Sequence, residues 1–237
     1  MYHKAVVHHA SLSKNDRIAN IWMGHSHFKD TPNRLSLERF RSTVLPALKS
    51  VLLDVHGFNI QSPSRLYPRN AMDSFFSSLH GRVLKIDTGY VGEKCIEFIA
   101  RQIRVGYLRE LKLRGKDWPE SIKVTLKSFL KSPNCGFVDL RKTNLTVDLD
   151  LLSCIVRSFL KGDLRESVRF YGKPADGKVK ELRRALLSRD NLPLFHGFPK
   201  PTVFVNTESL RMLLWTGPDP RRLFAYFPTE FIHICQL

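Results

Sequence analysis

Four short apolar alternations stand in one register along this chain, and that register limits what it can fold into more than any other feature. The pieces VLKID, ELKLR, FVDLR and SVRFY carry Ile86, Leu113, Leu140 and Phe170 at equivalent positions, separated by 27, 27 and 30 residues. Each piece has period two, so Leu84 and Ile86, and their counterparts, are predicted to share one face of a strand. Between the pieces the spacing becomes helical. Cys95, Ile96, Ile99 and Ile103 form one stripe, and Ile122, Leu126, Phe129 and Leu130 the next. Leu151, Leu152, Ile155, Val156 and Phe159 form a third, and Val179, Leu182 and Leu186 a fourth. Gly106, Pro133 and Gly162 fall where these helices should stop. Trp118-Pro119, with Asp117 as the cap, marks a start. Asp148 and Asp150 mark another, because a carboxylate favours a helix N-terminus. Strand and helix alternating in this way predict an α/β fold. Its expected form is a solenoid of strand-helix repeats, 27–30 residues long, with a parallel sheet inside and helices outside. No single repeat can bury its own apolar face, so the stack must stabilise itself.

The array is expected over residues 50–191. Its first unit has a strand in SVLLDVHGF and a helix over NAMDSFFSSLH, Asn70 to His80. Residues 1–49 form an irregular flank with one amphipathic patch, LSLERFRSTVLPALKS. Residues 192–237 contain TVFVNT, LRMLLW and EFIHIC, strands that either continue the sheet or cap it.

Composition bears on partners. Hydrophobic residues make up 43% and charged residues 25%, the balance of a folded domain. The formal net charge of +16 favours polyanions or acidic protein surfaces, and residues 67–191 hold 25 Lys/Arg against 15 Asp/Glu. The four cysteines form no CxxC pair, which suits a reducing compartment, cytoplasm or nucleus. There is no signal-peptide pattern and no run of 18 apolar residues, so no membrane partner is expected. His8, His9, His25 and His27 have no metal-ligand spacing and are read as incidental. Nucleophile elbows and phosphate loops are missing, so the expectation is a protein that is not an enzyme and takes no cofactor or metal.

The residues between the buried positions should face solvent. One predicted row is Lys85, Lys112, Asp139 and Arg169; the next is Asp87, Arg114, Arg141 and Tyr171. Five of these eight are basic, which makes a stripe suited to an acidic protein segment. A basic nucleic-acid-binding module is the alternative, and it would favour aromatic platforms among the basic residues. Of the two rows, only Tyr171 is aromatic.

The stretch FIARQIRVGYLRELKLRGKDWPESIKVTLKSFLKSP, followed by FVDLRKTNLTVDLDLL and RFYGKP, resembles the nematode F-box-associated repeat proteins. The WPES turn is the most specific part, and the likeness covers roughly residues 70–190. It implies a leucine-rich-repeat-like module for protein-protein interaction, the substrate-recognition part of an F-box-type ubiquitin-ligase receptor acting with a cullin scaffold. It implies no catalytic residues. Residues 1–49 hold nothing like the F-box motif itself.

Overall fold

A computed structural model describes residues 19–23, 36–46, 54–60, 69–164, 167–175, 201–205, 211–217, 221–227 and 231–236. The fold is α/β, and the chain divides into two compact units, Met1–Tyr107 and Leu108–Leu237. The division falls inside the stretch expected to form one array.

In the first unit, β1 (Asn20–Met23), β2 (Asp54–Ile60) and β3 (Arg82–Gly89) pair in parallel in that order. Helix α1 (Arg69–Ser78) links β2 to β3, and α2 (Glu93–Val105) follows. The amphipathic patch of the flank contains a short helical turn, Leu37–Arg39, that runs into a π-helical Phe40–Val44. Aromatic rings fill the core. Phe58 lies 5.8 Å from both Phe75 and Phe76 and 5.3 Å from Phe98. Gly106 ends α2 with φ 74°, and its N–H donates to the Ile103 carbonyl at 3.0 Å. Few residues other than glycine adopt that left-handed backbone without strain.

One expectation fails in β3. Val83 and Ile86 are buried, whereas Leu84 is half-buried. Strand β2 shows the same three-residue step, from Val55 to Phe58. There, the N–H groups of His56 and Gly57 both donate to the Ala19 carbonyl, at 2.7 and 3.2 Å. Two donors on one acceptor mark a bulge of β2 against β1, and β3 runs beside β2 without a shift in register, so it shares the interrupted alternation at Leu84.

In the second unit, β4 (Glu110–Gly115), β5 (Phe137–Thr143) and β7 (Arg169–Pro174) pair in parallel. Strand β6 (Thr146–Val147) pairs beside them with Lys173 and Pro174 of β7. Helix α3 (Ile122–Leu130) crosses from β4 to β5, and α4 (Leu149–Leu160) leads to β7. The buried stripes of both helices and the buried faces of Leu111, Leu113, Val138, Leu140 and Phe170 form the core. The C-terminal segment continues the sheet with reversed direction: β11 (Ile232–Gln236) pairs antiparallel with β7, followed outward by β10 (Arg222–Tyr226), β9 (Arg211–Thr216) and β8 (Thr202–Val205). A purely parallel sheet is therefore corrected to a mixed one. Antiparallel neighbours need only short turns, which the spacing of these last strands allows. The proposed stripe at Val179, Leu182 and Leu186 lies outside the described residues.

Two helix starts read differently from each other. Asp148 caps α4 as expected, accepting from the Leu151 N–H at 2.9 Å. Burial pushes its carboxyl up, but this hydrogen bond and the Lys123 ammonium outweigh that, and the pKa lies below the ordinary value. Asp117 does not cap α3. The Ile122, Lys123 and Val124 N–H groups donate to the carbonyls of Pro119, Glu120 and Ser121 in a tight lead-in turn. Asn144 holds that turn from the end of β5: its Oδ1 accepts from the Trp118 N–H at 3.1 Å and its Nδ2 donates to the Trp118 carbonyl at 2.8 Å. At Gly172, a Cβ would collide with the Val147 side chain, so β6 lies against β7 only because that position is glycine.

The first unit also contains a buried polar clamp. Gln102 is 1% exposed; its Oε1 accepts from the Val83 N–H at 2.9 Å and its Nε2 donates to the Gly81 carbonyl at 2.9 Å. Gln102→Leu leaves two backbone groups unpaired and should cost about 2 kcal/mol. Urea unfolding followed through signals of the first unit checks this; an unchanged midpoint contradicts it.

Candidate recognition surface

Lys85 and Asp87 stand on β3 of the first unit, both half-buried, opposite Gly57 and Asn59. The other six residues of the expected rows, Lys112, Arg114, Asp139, Arg141, Arg169 and Tyr171, belong to the second unit. The two rows are corrected there. Asp139 stands opposite Tyr171, and Phe137 stands opposite Arg169. The register that equates Leu140 with Phe170 is thus two residues out, since Val138 is the residue opposite Phe170. An even shift keeps every side chain on its own face, so the exposed set survives although its neighbours change. The added turn and short strand β6 between β5 and α4 accommodate the extra length.

Arg141 leaves the rows for a second reason. Lys112 pairs with Asp139, but Arg114 pairs with Lys142, so β5 carries one extra residue against β4. This bulge frees Arg141 to fold back on its own strand. Its backbone N–H and Nε both donate to Asp139 Oδ1 at 3.0 Å, and Nη2 donates to Oδ2 at 2.8 Å. Burial raises the Asp139 pKa, but these bonds and the charges of Arg141 and Lys112 outweigh it, leaving the carboxyl below the usual range.

The Arg141 guanidinium lies 4.5 Å from the centre of the Tyr171 ring. From the other side of β7, His233 on β11 stacks on Tyr171 with centroids 4.2 Å apart and planes at 10°. Tyr226 on β10 follows, 5.5 Å from His233 at 24°, and Phe224 lies 6.4 Å from Tyr226. Phe137 borders Tyr171 at 5.6 Å, with the Lys112 ammonium 5.0 Å from its ring. Two transverse rows result. One reads Lys112, Asp139, Tyr171, His233, Tyr226; the other reads Glu110, Phe137, Arg169, Cys235, Phe224. Each cross-strand contact of this kind contributes roughly 0.2–1 kcal/mol, and together they hold the side chains in fixed positions.

Phe137, Phe224, Tyr226 and His233 were absent from the sequence-based rows. The signal for the last three is the alternation in RLFAY and IHICQ, which puts Leu223, Ala225, Ile232 and Ile234 in the core and these side chains opposite. Nothing local reveals that β11 pairs with β7, since that contact joins distant parts of the chain.

His233 sits where an imidazolium is disfavoured. Burial, and then the charges of Arg169 and Arg141, hold its pKa below the ordinary value, and its Nε2 is buried without a hydrogen-bond partner. Among the described residues, no group of three or more His, Cys, Asp or Glu could hold a metal ion, and no helix is long and apolar enough to cross a membrane. The chain matches no family model, no curated protein and no solved structure.

A depressed histidine pKa means that the unfolded chain binds the proton first. The neutral ring's contribution is present above about pH 6.5 and is lost as pH falls through the folded-state value. His233→Phe, which keeps a flat ring in the stack, should therefore flatten the fall in melting temperature of the second unit between about pH 7 and 5. An unchanged pH profile contradicts this reading.

Proposed function

We propose that the protein is a non-enzymatic recognition module that binds other proteins through the exposed sheet face of its second unit. The observation that carries this reading is the stack on Tyr171. One ring face meets the Arg141 guanidinium and the other meets His233, from the strands on either side of β7. Nucleobase binding on a sheet needs aromatic faces left open. Here the central ring faces are taken, and the stack offers ring edges, phenol hydroxyls and guanidinium groups. Fixed side chains of this type, Tyr and Arg above all, give contact area at low entropic cost, as in protein interfaces.

The finer reading is a short LRR-like solenoid serving as the substrate-recognition part of an F-box-type ubiquitin-ligase receptor in the cytoplasm or nucleus. Its support is the succession of strand and helix at near-constant spacing, with β3 displaced 28 residues from β2 and β5 displaced 27 from β4. Four free cysteines agree with a reducing compartment. Nucleic-acid binding is the second reading, favoured by the charge of +16 and by basic side chains beside Phe137 and Tyr171.

Affinity capture from cell extract, with and without nuclease, separates the two. The wild-type chain should retain discrete proteins that survive nuclease, and Tyr171→Ala and Arg141→Ala should each reduce that retention about tenfold, as loss of a central interface anchor does. Retention abolished by nuclease, with a steep loss in salt, assigns the face to nucleic acid instead. Retention unaffected by either substitution moves the contact surface elsewhere.

A further inference from the structure

The basic groups of this face differ in how far their charge is already used. Arg141 is bonded in a fork to Asp139 and covers Tyr171. Lys112 lies over Phe137 and its charge acts on Asp139. Arg169 differs: it is exposed on β7, and none of the ion pairs among the described residues involves it. Its neighbours in the row are Phe137 on β5 and Cys235 on β11, with Phe224 beyond. A guanidinium with no committed counter-ion can pair an incoming carboxylate through two parallel charge-assisted hydrogen bonds. Beside it stands His233, whose Nε2 lacks a partner.

Resting on the recognition reading above, we infer that the face docks an acidic peptide segment of the partner, with a glutamate or aspartate carboxylate seated on Arg169 next to His233. Charge complementarity argues for this occupant: on a +16 chain the Arg169 guanidinium takes part in none of the ion pairs among the described residues, and the carboxylate beside Tyr171, Asp139, is already spent on Arg141. The groups facing His233 are Arg169 and Tyr171 on β7, Arg141 on β5 and Tyr226 on β10, with Cys235 two residues along its own strand. Two of these are cationic and none is a carboxylate. An incoming carboxylate reverses that balance and favours the imidazolium, so docking takes up a proton.

Fluorescence anisotropy on the full chain tests this with three labelled probes: a peptide of about twelve residues alternating Glu and Phe, its Gln-for-Glu counterpart, and a single-stranded RNA of about twelve nucleotides. At about 150 mM salt, long-range attraction is screened and the seated contact is what remains. The Glu peptide should bind, and Arg169→Glu should weaken it about tenfold or more. Lys161→Glu, an equal charge change at the end of α4, should weaken it less than about threefold. Binding of the Glu peptide should tighten from about pH 7.5 to 5.5 in the wild type and not in His233→Phe. Equal binding of the Gln peptide, equal loss in Lys161→Glu, or no binding of any probe overturns the carboxylate assignment while the capture result above still stands or falls by itself. Tighter binding of the RNA with the same dependence on Arg169 overturns both.

Discussion

The stacking of Tyr171 between Arg141 and His233 is the contact on which the character of the exposed face depends. It needs three strands in one register. Tyr171 must stand opposite both Asp139 and His233, and the bulge in β5 must release Arg141 from strict alternation. If β11 slipped by one residue, both Ile232 and Ile234 would face solvent and His233 would enter the core. The burial of both isoleucines therefore fixes the stack from beneath. Packing in the core and chemistry on the surface are two consequences of one register.

That register also decides which charges are available. A net charge of +16 suggests a uniformly sticky surface, but several of its cations are committed. Lys123 bridges Glu120 and Asp148, Lys127 pairs with Asp150, and Arg101 donates to the carbonyls of Phe76 and Leu79. These groups tie helix to helix or helix to loop. Solvent screens the ion pair at Lys127, so its main effect is to place side chains rather than to stabilise the fold. The same logic explains Arg141, whose fork to Asp139 positions it over an aromatic ring.

Much of the local structure was legible in the residues because local physics dictates it. The helical stripes around Ile99, Leu126 and Ile155 and the alternation in FVDLR depend only on spacing. Gly106 and Asp148 were readable for the same reason, since a left-handed stop and an N-cap are decided within a few residues. Three features were not legible. Bulges at His56 and in β5 arise from pairing between strands, so Leu84 and Arg141 were assigned by an alternation that pairing interrupts. The antiparallel insertion of β11 beside β7 joins segments some sixty residues apart, and no local pattern carries it. Asn144 holds the Trp118 backbone from the far end of the next strand, a contact that no local pattern announces. The aromatic half of the surface was missed through the second of these, because Tyr226 and His233 acquire meaning only once β11 lies against β7.

The most direct test of this arrangement is a nuclear Overhauser spectrum of the aromatic side chains in the free protein. The expected result is cross-peaks from the His233 ring to both Tyr171 and Tyr226, together with an Arg141 side chain shifted upfield by the Tyr171 ring. A His233 ring with cross-peaks to neither tyrosine would contradict the register, and with it the surface built on that register.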